Sequence, residues 1–159
     1  MSQISTCLWF DGKAEEAARF YTAILPDSAI QAVLRSPLDT PGGKAGEVLL
    51  IEFTLNGRHF QGLNGGPGHP FTQAISMSVL CEDQAEVDRV WNALLDGGSP
   101  VQCGWLTDRY GLSWQVVPRR MIELLHDSNP KRVDAAMRAM MEMVKLDVAE
   151  LDRAADAAS

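Results

Sequence analysis

The chain has 159 residues, with 14 Lys+Arg against 21 Asp+Glu, a formal net charge of −7 and 46% hydrophobic residues. That length suits one domain, or two small modules that share a core. The acidic balance disfavours nucleic acid and anionic membrane surfaces as partners, since no excess of Lys/Arg exists to neutralise phosphates, and no apolar run approaches the roughly 20 residues of a spanning helix.

The opening MSQISTCLWFDGK has neither the basic start nor the apolar run of a signal peptide. Residues 4–10 (ISTCLWF) read as a strand, and 13–25 (KAEEAARFYTAIL) as an amphipathic helix that Pro26 stops. Ala14, Ala17, Ala18, Tyr21 and Leu25 recur there at helical spacing. Residues 36–47 (SPLDTPGGKAGE) are rich in turn formers and read as a mobile loop. The Gly/Pro cluster at 62–71 leads into another strand, not into a helix, and reads as a linker between modules.

A second strand covers 74–81 (AISMSVLC), with Ser76 and Ser78 on one face and Met77, Val79 and Cys81 on the other. The helix pattern at 83–95 (DQAEVDRVWNALL) has Asp83 as its cap and Gly97-Gly98 at its end. Asp108 in the following turn is either a turn residue, the preferred reading, or an acid/base at a pocket rim. The tail predicts helices at 130–144 and 147–157. Val133, Met137, Met140, Met141 and Val144 form one stripe that packs on its own sheet or on a partner subunit. Cys7, Cys81 and Cys103 are odd in number and widely spaced, with no CxxC, so each reads as a small buried residue in a reducing cytoplasm.

The two halves repeat one design. Residues 83–95 repeat 13–25 at an offset of 70: Glu86 matches Glu16, Arg89 matches Arg19, Ala93 matches Ala23 and Leu95 matches Leu25. Gly57-Arg58-His59-Phe60-Gln61 resembles Gly111-Leu112-Ser113-Trp114-Gln115, a Gly-x-x-aromatic-Gln pattern at an offset of 54. Each half thus reads strand, helix, then two or three strands. The expected divisions are 1–66, 67–126 and a helical extension at 127–159, together one compact domain.

The phrases LWFDGKAEEAARFY, SVLCEDQAEVDRVWNALLDGG and CGWLTDRYGLSWQVVP resemble the PhnB-like family of the vicinal oxygen chelate superfamily, with glyoxalase I and the bleomycin- and fosfomycin-resistance proteins. The resemblance implies an α+β fold: two paired βαβββ modules whose strands form a cup around a small-molecule pocket, in a homodimer. It also implies metal-ligand positions, which fall on Thr6 (or Ser5, one residue away), Gln61, Ser76 and Gln115. None of these is a carboxylate or an imidazole, and neutral amides and hydroxyls hold Zn²⁺, Ni²⁺ or Fe²⁺ poorly. The expectation is therefore no metal and no cofactor.

The expected site is a cup lined by Thr6, His59, Gln61, Ser76, Ser78, Ser113 and Gln115, ringed by Trp105 and Tyr110. It suits binding of a neutral or weakly polar small molecule. The alternatives are a metal-free or metal-dependent enzyme of the glyoxalase or dioxygenase type. Members of the family often carry the label 3-demethylubiquinone-9 3-methyltransferase, for which these residues offer no cofactor loop between a strand and a helix.

Overall fold

Apolar spacing and turn chemistry set the two helices of the duplication where they were expected. The computed structural model describes residues 4–158, and its internal contacts divide the chain into two units after Pro70.

In the first unit, β1 (Thr6–Phe10) leads into α1 (Ala14–Ile24), followed by β2 (Ala29–Arg35), β3 (Val48–Leu55) and β4 (Arg58–Asn64). The four strands lie in the order β1-β4-β3-β2, with β1 parallel to β4 and the other pairs antiparallel. Helix α1 buries Ala14, Ala17, Ala18 and Tyr21 against Leu8, Phe10, Ile51, Phe53, Leu55 and Phe60. Small residues on both sides allow close approach. A Cβ on Gly62 of β4 would come within 2.9 Å of Ile51 Cγ2 and 3.3 Å of Ala14 Cβ.

The second unit repeats the plan: β5 (Ser76–Cys81), α2 (Gln84–Leu95), then β6 (Ser99–Pro100), β7 (Trp105–Thr107) and β8 (Ser113–Pro118), in the order β5-β8-β7-β6. Asp83 caps α2 as expected, accepting from Glu86 N at 2.9 Å. Cys81, Val87, Val90, Trp91, Leu94, Leu106, Trp114 and Val116 are buried. The α+β class and the two βαβββ modules of the glyoxalase/bleomycin-resistance-like fold are therefore present.

The tail belongs to this second unit and contains one helix more than expected. Residues 119–125 form α3 (Arg119–Leu125), directly after β8, followed by α4 (Pro130–Glu142) and α5 (Val148–Ala157). At seven residues α3 is too short for its periodicity to stand out from the strand before it. Met121, Leu124, Ala136, Leu151 and Ala155 make a small core of their own, onto which Val117 and Met140 pack. The α4–α5 connection is tied to the module: Cys103 N and Gly104 N donate to Met143 O and Val144 O at 2.8 and 2.7 Å. Gln84 of α2 accepts from Val148 N at 2.8 Å and donates to Leu146 O at 3.2 Å.

Both predicted loop segments carry specific contacts. Residues 36–47 are held by turns of their own: Ser36 is buried and donates to Leu38 O, and Asp39 accepts from Ala45 N and Lys44. In the predicted linker at 62–71, Trp9 holds residues 65–69 to the first unit. Its indole donates to Gly66 O at 2.8 Å, and its ring meets His69 edge-on at 4.7 Å.

Candidate functional site

Strand alternation gives each sheet a helix-covered face and a second face free of its own helix. In the second unit, Met77, Val79 and Cys81 of β5 align with Trp114, Val116 and Pro118 of β8, and this row lies under α2. The opposite row carries Ser76, Ser78, Ser113 and Gln115, as the sequence predicted. Gln115 pairs in register with Ser78 on one side and with Trp105 of β7 on the other. Its amide Nε2 donates to Ser76 Oγ at 2.9 Å, and both residues are half-buried. Ser113, the register partner of Ser76, is 2% exposed. Tyr110 lies outside the row, in the turn before β8, where its backbone N–H donates to Asp108.

That turn also decides the role of Asp108. The carboxylate is 3% exposed. It accepts from Tyr110 N at 2.8 Å, Leu112 N at 3.1 Å and the Trp114 indole at 2.8 Å. With its oxygens committed to three donors, Asp108 builds the turn, which is the reading the sequence favoured.

In the first unit, Gln61 and the exposed His59 do lie on the helix-free face, as expected. Thr6 does not. In β1 it alternates with Cys7 and shares the row of Leu8 and Phe10, both buried under α1. Its register partner is the buried Phe60, whereas Cys7 pairs with Gln61. Cys7 therefore corresponds to Ser78, and the Ser76 position falls on Ser5, the substitute that the sequence left open. The correction has a simple cause: the strands repeat at an offset of 71 and the helices at 70. One residue changes the face of a strand.

The register brings in residues the sequence did not single out. Glu52 of β3 pairs with Gln61, so Cys7, Gln61 and Glu52 stand side by side across three strands. Gln61 Nε2 lies 3.5 Å from Glu52 Oε1. Trp9 follows on the same face of β1, with His69 against its ring. Once the β1–β4 register sets Leu8 and Phe10 under α1, alternation puts Cys7 and Trp9 on this face, and the Gln61–Glu52 pairing needs the β3–β4 register as well.

Neither Cys7, on this face, nor Cys81, under α2, carries an activated thiol. Burial pushes the Cys7 thiol above its ordinary value, although the residue is exposed overall. Cys81 is pushed up to about 12 by burial, with Glu86 adding to it. The expectation of three buried cysteines holds for Cys81 alone, since Cys7 is exposed and Cys103 is half-buried.

A divalent metal does not fit the donors within either unit. Among the described residues no group of three or more His, Cys, Asp or Glu converges, and the neutral Gln and Ser side chains of these rows hold such an ion poorly. A methyl-donor cofactor also lacks a cradle of the kind a helix amino terminus offers. Asn64 Oδ1 already takes Ala14 N of α1 at 2.9 Å, and Asp83 occupies the start of α2. Among the described residues no helix is long and apolar enough to cross a membrane.

The model of the family described as 3-demethylubiquinone-9 3-methyltransferase matches residues 2–117. The chain is similar to the PhnB protein from Bacillus cereus, with 38% identity and a TM-score of 0.67 over 74% of this chain and 99% of that one. A protein from Pseudomonas aeruginosa has the same fold, at 24% identity and a TM-score of 0.62 over 74% and 98% of the two chains. No curated protein matches. With two βαβββ modules, a repeated Gly-x-x-aromatic-Gln strand and a family match over most of its length, the chain belongs to the PhnB-like family.

Proposed function

We propose that the protein binds a small, neutral or weakly polar organic molecule on the helix-free faces of its sheets, without a metal ion. One observation carries this reading. In both units the helix-free face has a glutamine at its centre and an indole on a neighbouring strand: Trp105 pairs in register with Gln115, and Trp9 stands diagonally from Gln61, one same-face position beyond Cys7. An amide offers both a donor and an acceptor, and an indole offers a flat apolar surface. Ser76, Ser78, Cys7 and His59 add uncharged or weakly basic groups, and Glu52 beside Gln61 supplies the one full charge in the row. Such a surface orients a small molecule by a few polar contacts while apolar area supplies affinity.

No chemical step is assigned, because no nucleophile here is activated and no carboxylate pair flanks a reaction centre. The family description names a methyltransferase, but the helix starts that would receive a charged cofactor are already capped. The three free cysteines fit a reducing cytoplasm.

The test is thermal-shift screening of small uncharged aromatic and amide-containing compounds, repeated on Gln61→Ala and Gln115→Ala. A true ligand must raise the unfolding temperature in a saturable way. At least one variant should lose that shift while keeping its far-UV circular dichroism. Saturable shifts that survive both substitutions would move binding away from these faces. Methyl transfer by the unmodified protein would overturn the binding-only reading.

A further inference from the structure

The helix-free face of the second unit changes character along its strands. At one level, register sets Ser76, Ser113 and Thr107 side by side, and all three carry hydroxyls. The next level on the same face holds Ser78, Gln115 and Trp105. At the level after that, Leu80 pairs with Val117, and both are apolar. The face thus runs from hydroxyls, through an amide and an indole, to hydrocarbon.

The hydrocarbon end is closed by the tail, which lies beyond residue 117, where the family match ends. Val117, two residues past Gln115, points to the helix-free side. It packs there onto the small core of the tail, as do Met140 and Met143. The neighbouring strands end on the same structure. The ladder between β7 and β8 runs one step past Trp105, where Gly104 O accepts from Val116 N at 2.8 Å. At that step Cys103 N and Gly104 N donate to the tail's Met143 O and Val144 O. Leu146 is buried, and a Cβ on Gly104 would lie 2.9 Å from its Cγ, so the tail meets the start of β7 without a gap. On the other side, Arg119 of α3 pairs with Glu82, just after β5.

We propose that the tail is the end wall of a binding site on this face, and that the site takes an uncharged amphipathic molecule. Its hydrogen-bonding head lies at Ser76 and Gln115, its flat body against Trp105, and its short apolar chain ends at Val117 and the tail. This deepens the ligand-binding reading and rests on it. The side chains of the three levels carry no charge, so an ionised head would be desolvated without a counter-charge. Gln115 Nε2 is turned to Ser76 Oγ at 2.9 Å, which presents the Gln115 carbonyl to a donor on the head. One same-face step along a strand is about 7 Å, so only a few carbons fit between the level of Gln115 and the wall. Leu80, 45% exposed, flanks that chain. Met140 and Met143 give the wall an adaptable apolar backing.

The test titrates the full chain with benzamide and its 4-methyl, 4-ethyl, 4-propyl, 4-butyl and 4-hexyl derivatives, followed by calorimetry. Affinity should rise about fourfold with each methylene buried and stop rising at three or four carbons. Leu80→Ser, at an exposed position, and Val117→Ser should each flatten that rise, whereas Gln115→Ala should weaken every member of the series alike. Hydrogen exchange read by mass spectrometry should slow at residues 140–146 with 4-propylbenzamide and not with benzamide. Equal affinity across the series would overturn the wall and leave head-group binding in place. A rise that continues through the hexyl compound, or that survives Leu80→Ser with exchange in the tail unaltered, would put the chain elsewhere and overturn it too. Saturable binding by no member would overturn the ligand-binding reading itself, and the wall with it.

Discussion

Asn64 closes the first turn of a helix that lies 50 residues away in the chain. Its Oδ1 accepts from Ala14 N at 2.9 Å, and its Nδ2 donates to Val48 O at 2.9 Å. Lys13, the residue at the cap position of α1, makes no side-chain cap bond, so the last residue of β4 does that work. In the second unit Asp83 caps α2 locally, and Pro118 stands in register where Asn64 would be. The two modules share a design but anchor their helices differently.

Asn64→Ala should therefore cost more than Asp83→Ala. The first leaves a buried N–H and a carbonyl without partners, about 1–3 kcal/mol each. The second removes an exposed cap, about 1 kcal/mol. Urea unfolding of both variants gives the comparison, and equal losses would show that the long-range bond adds nothing over an ordinary cap.

Asp108→Asn should destabilise the second unit by about 2–4 kcal/mol, since a buried charged acceptor contributes more than a neutral one and an amide can turn an N–H toward one of three donors. Because one of those donors is the Trp114 indole, the folded variant should also show altered tryptophan fluorescence. If Asp108 were a rim acid instead, stability would be nearly unchanged.

Gly104→Ala should loosen the tail. Gly104 has φ of 79°, and an added Cβ would lie 2.9 Å from Leu146 Cγ and 3.0 Å from Val116 O. Both the left-handed backbone and the lack of space oppose a side chain there. The expected result is faster hydrogen exchange in α4 and α5, read by mass spectrometry, with β1–β4 unaffected.

The thiols should respond in a fixed order. A disulfide reagent should label Cys7 first and Cys81 only on unfolding, as their exposures differ. Cys81 has its pKa raised from 9.0 to about 12. The unfolded chain ionises this thiol as pH passes 9 while the folded chain keeps it neutral. Its contribution is therefore complete below pH 9 and lost as pH rises toward 12. Cys81→Ala should lose stability less steeply over that alkaline window than the parent chain.

Metal content is the simplest check on the site. Protein purified without chelator should hold no stoichiometric Zn, Ni, Fe or Mn by elemental mass spectrometry, and chelator should leave its melting temperature unchanged. A stoichiometric ion would bring Glu52, Cys7 and His59 forward as ligands.

Periodicity alone determined the repeated helices, the strand ahead of each, the cap at Asp83 and the paired glutamines, because these depend on residues near one another in the chain. The face of Ser76 and Ser78 was also legible, since Met77, Val79 and Cys81 between them are plainly apolar. In 4–10 the pattern is weaker: Thr6 is polar but sits under α1, and the apolar Trp9 lies on the other face. Only the parallel pairing of β1 with β4, 54 residues later, decided which of Thr6 and Cys7 faces outward. Cross-strand neighbours such as Glu52 and Gln61, and the reach of Asn64 to Ala14, likewise exist only once the chain has folded. Strand register is set by the packing of distant segments, and a shift of one residue exchanges the two faces of a sheet.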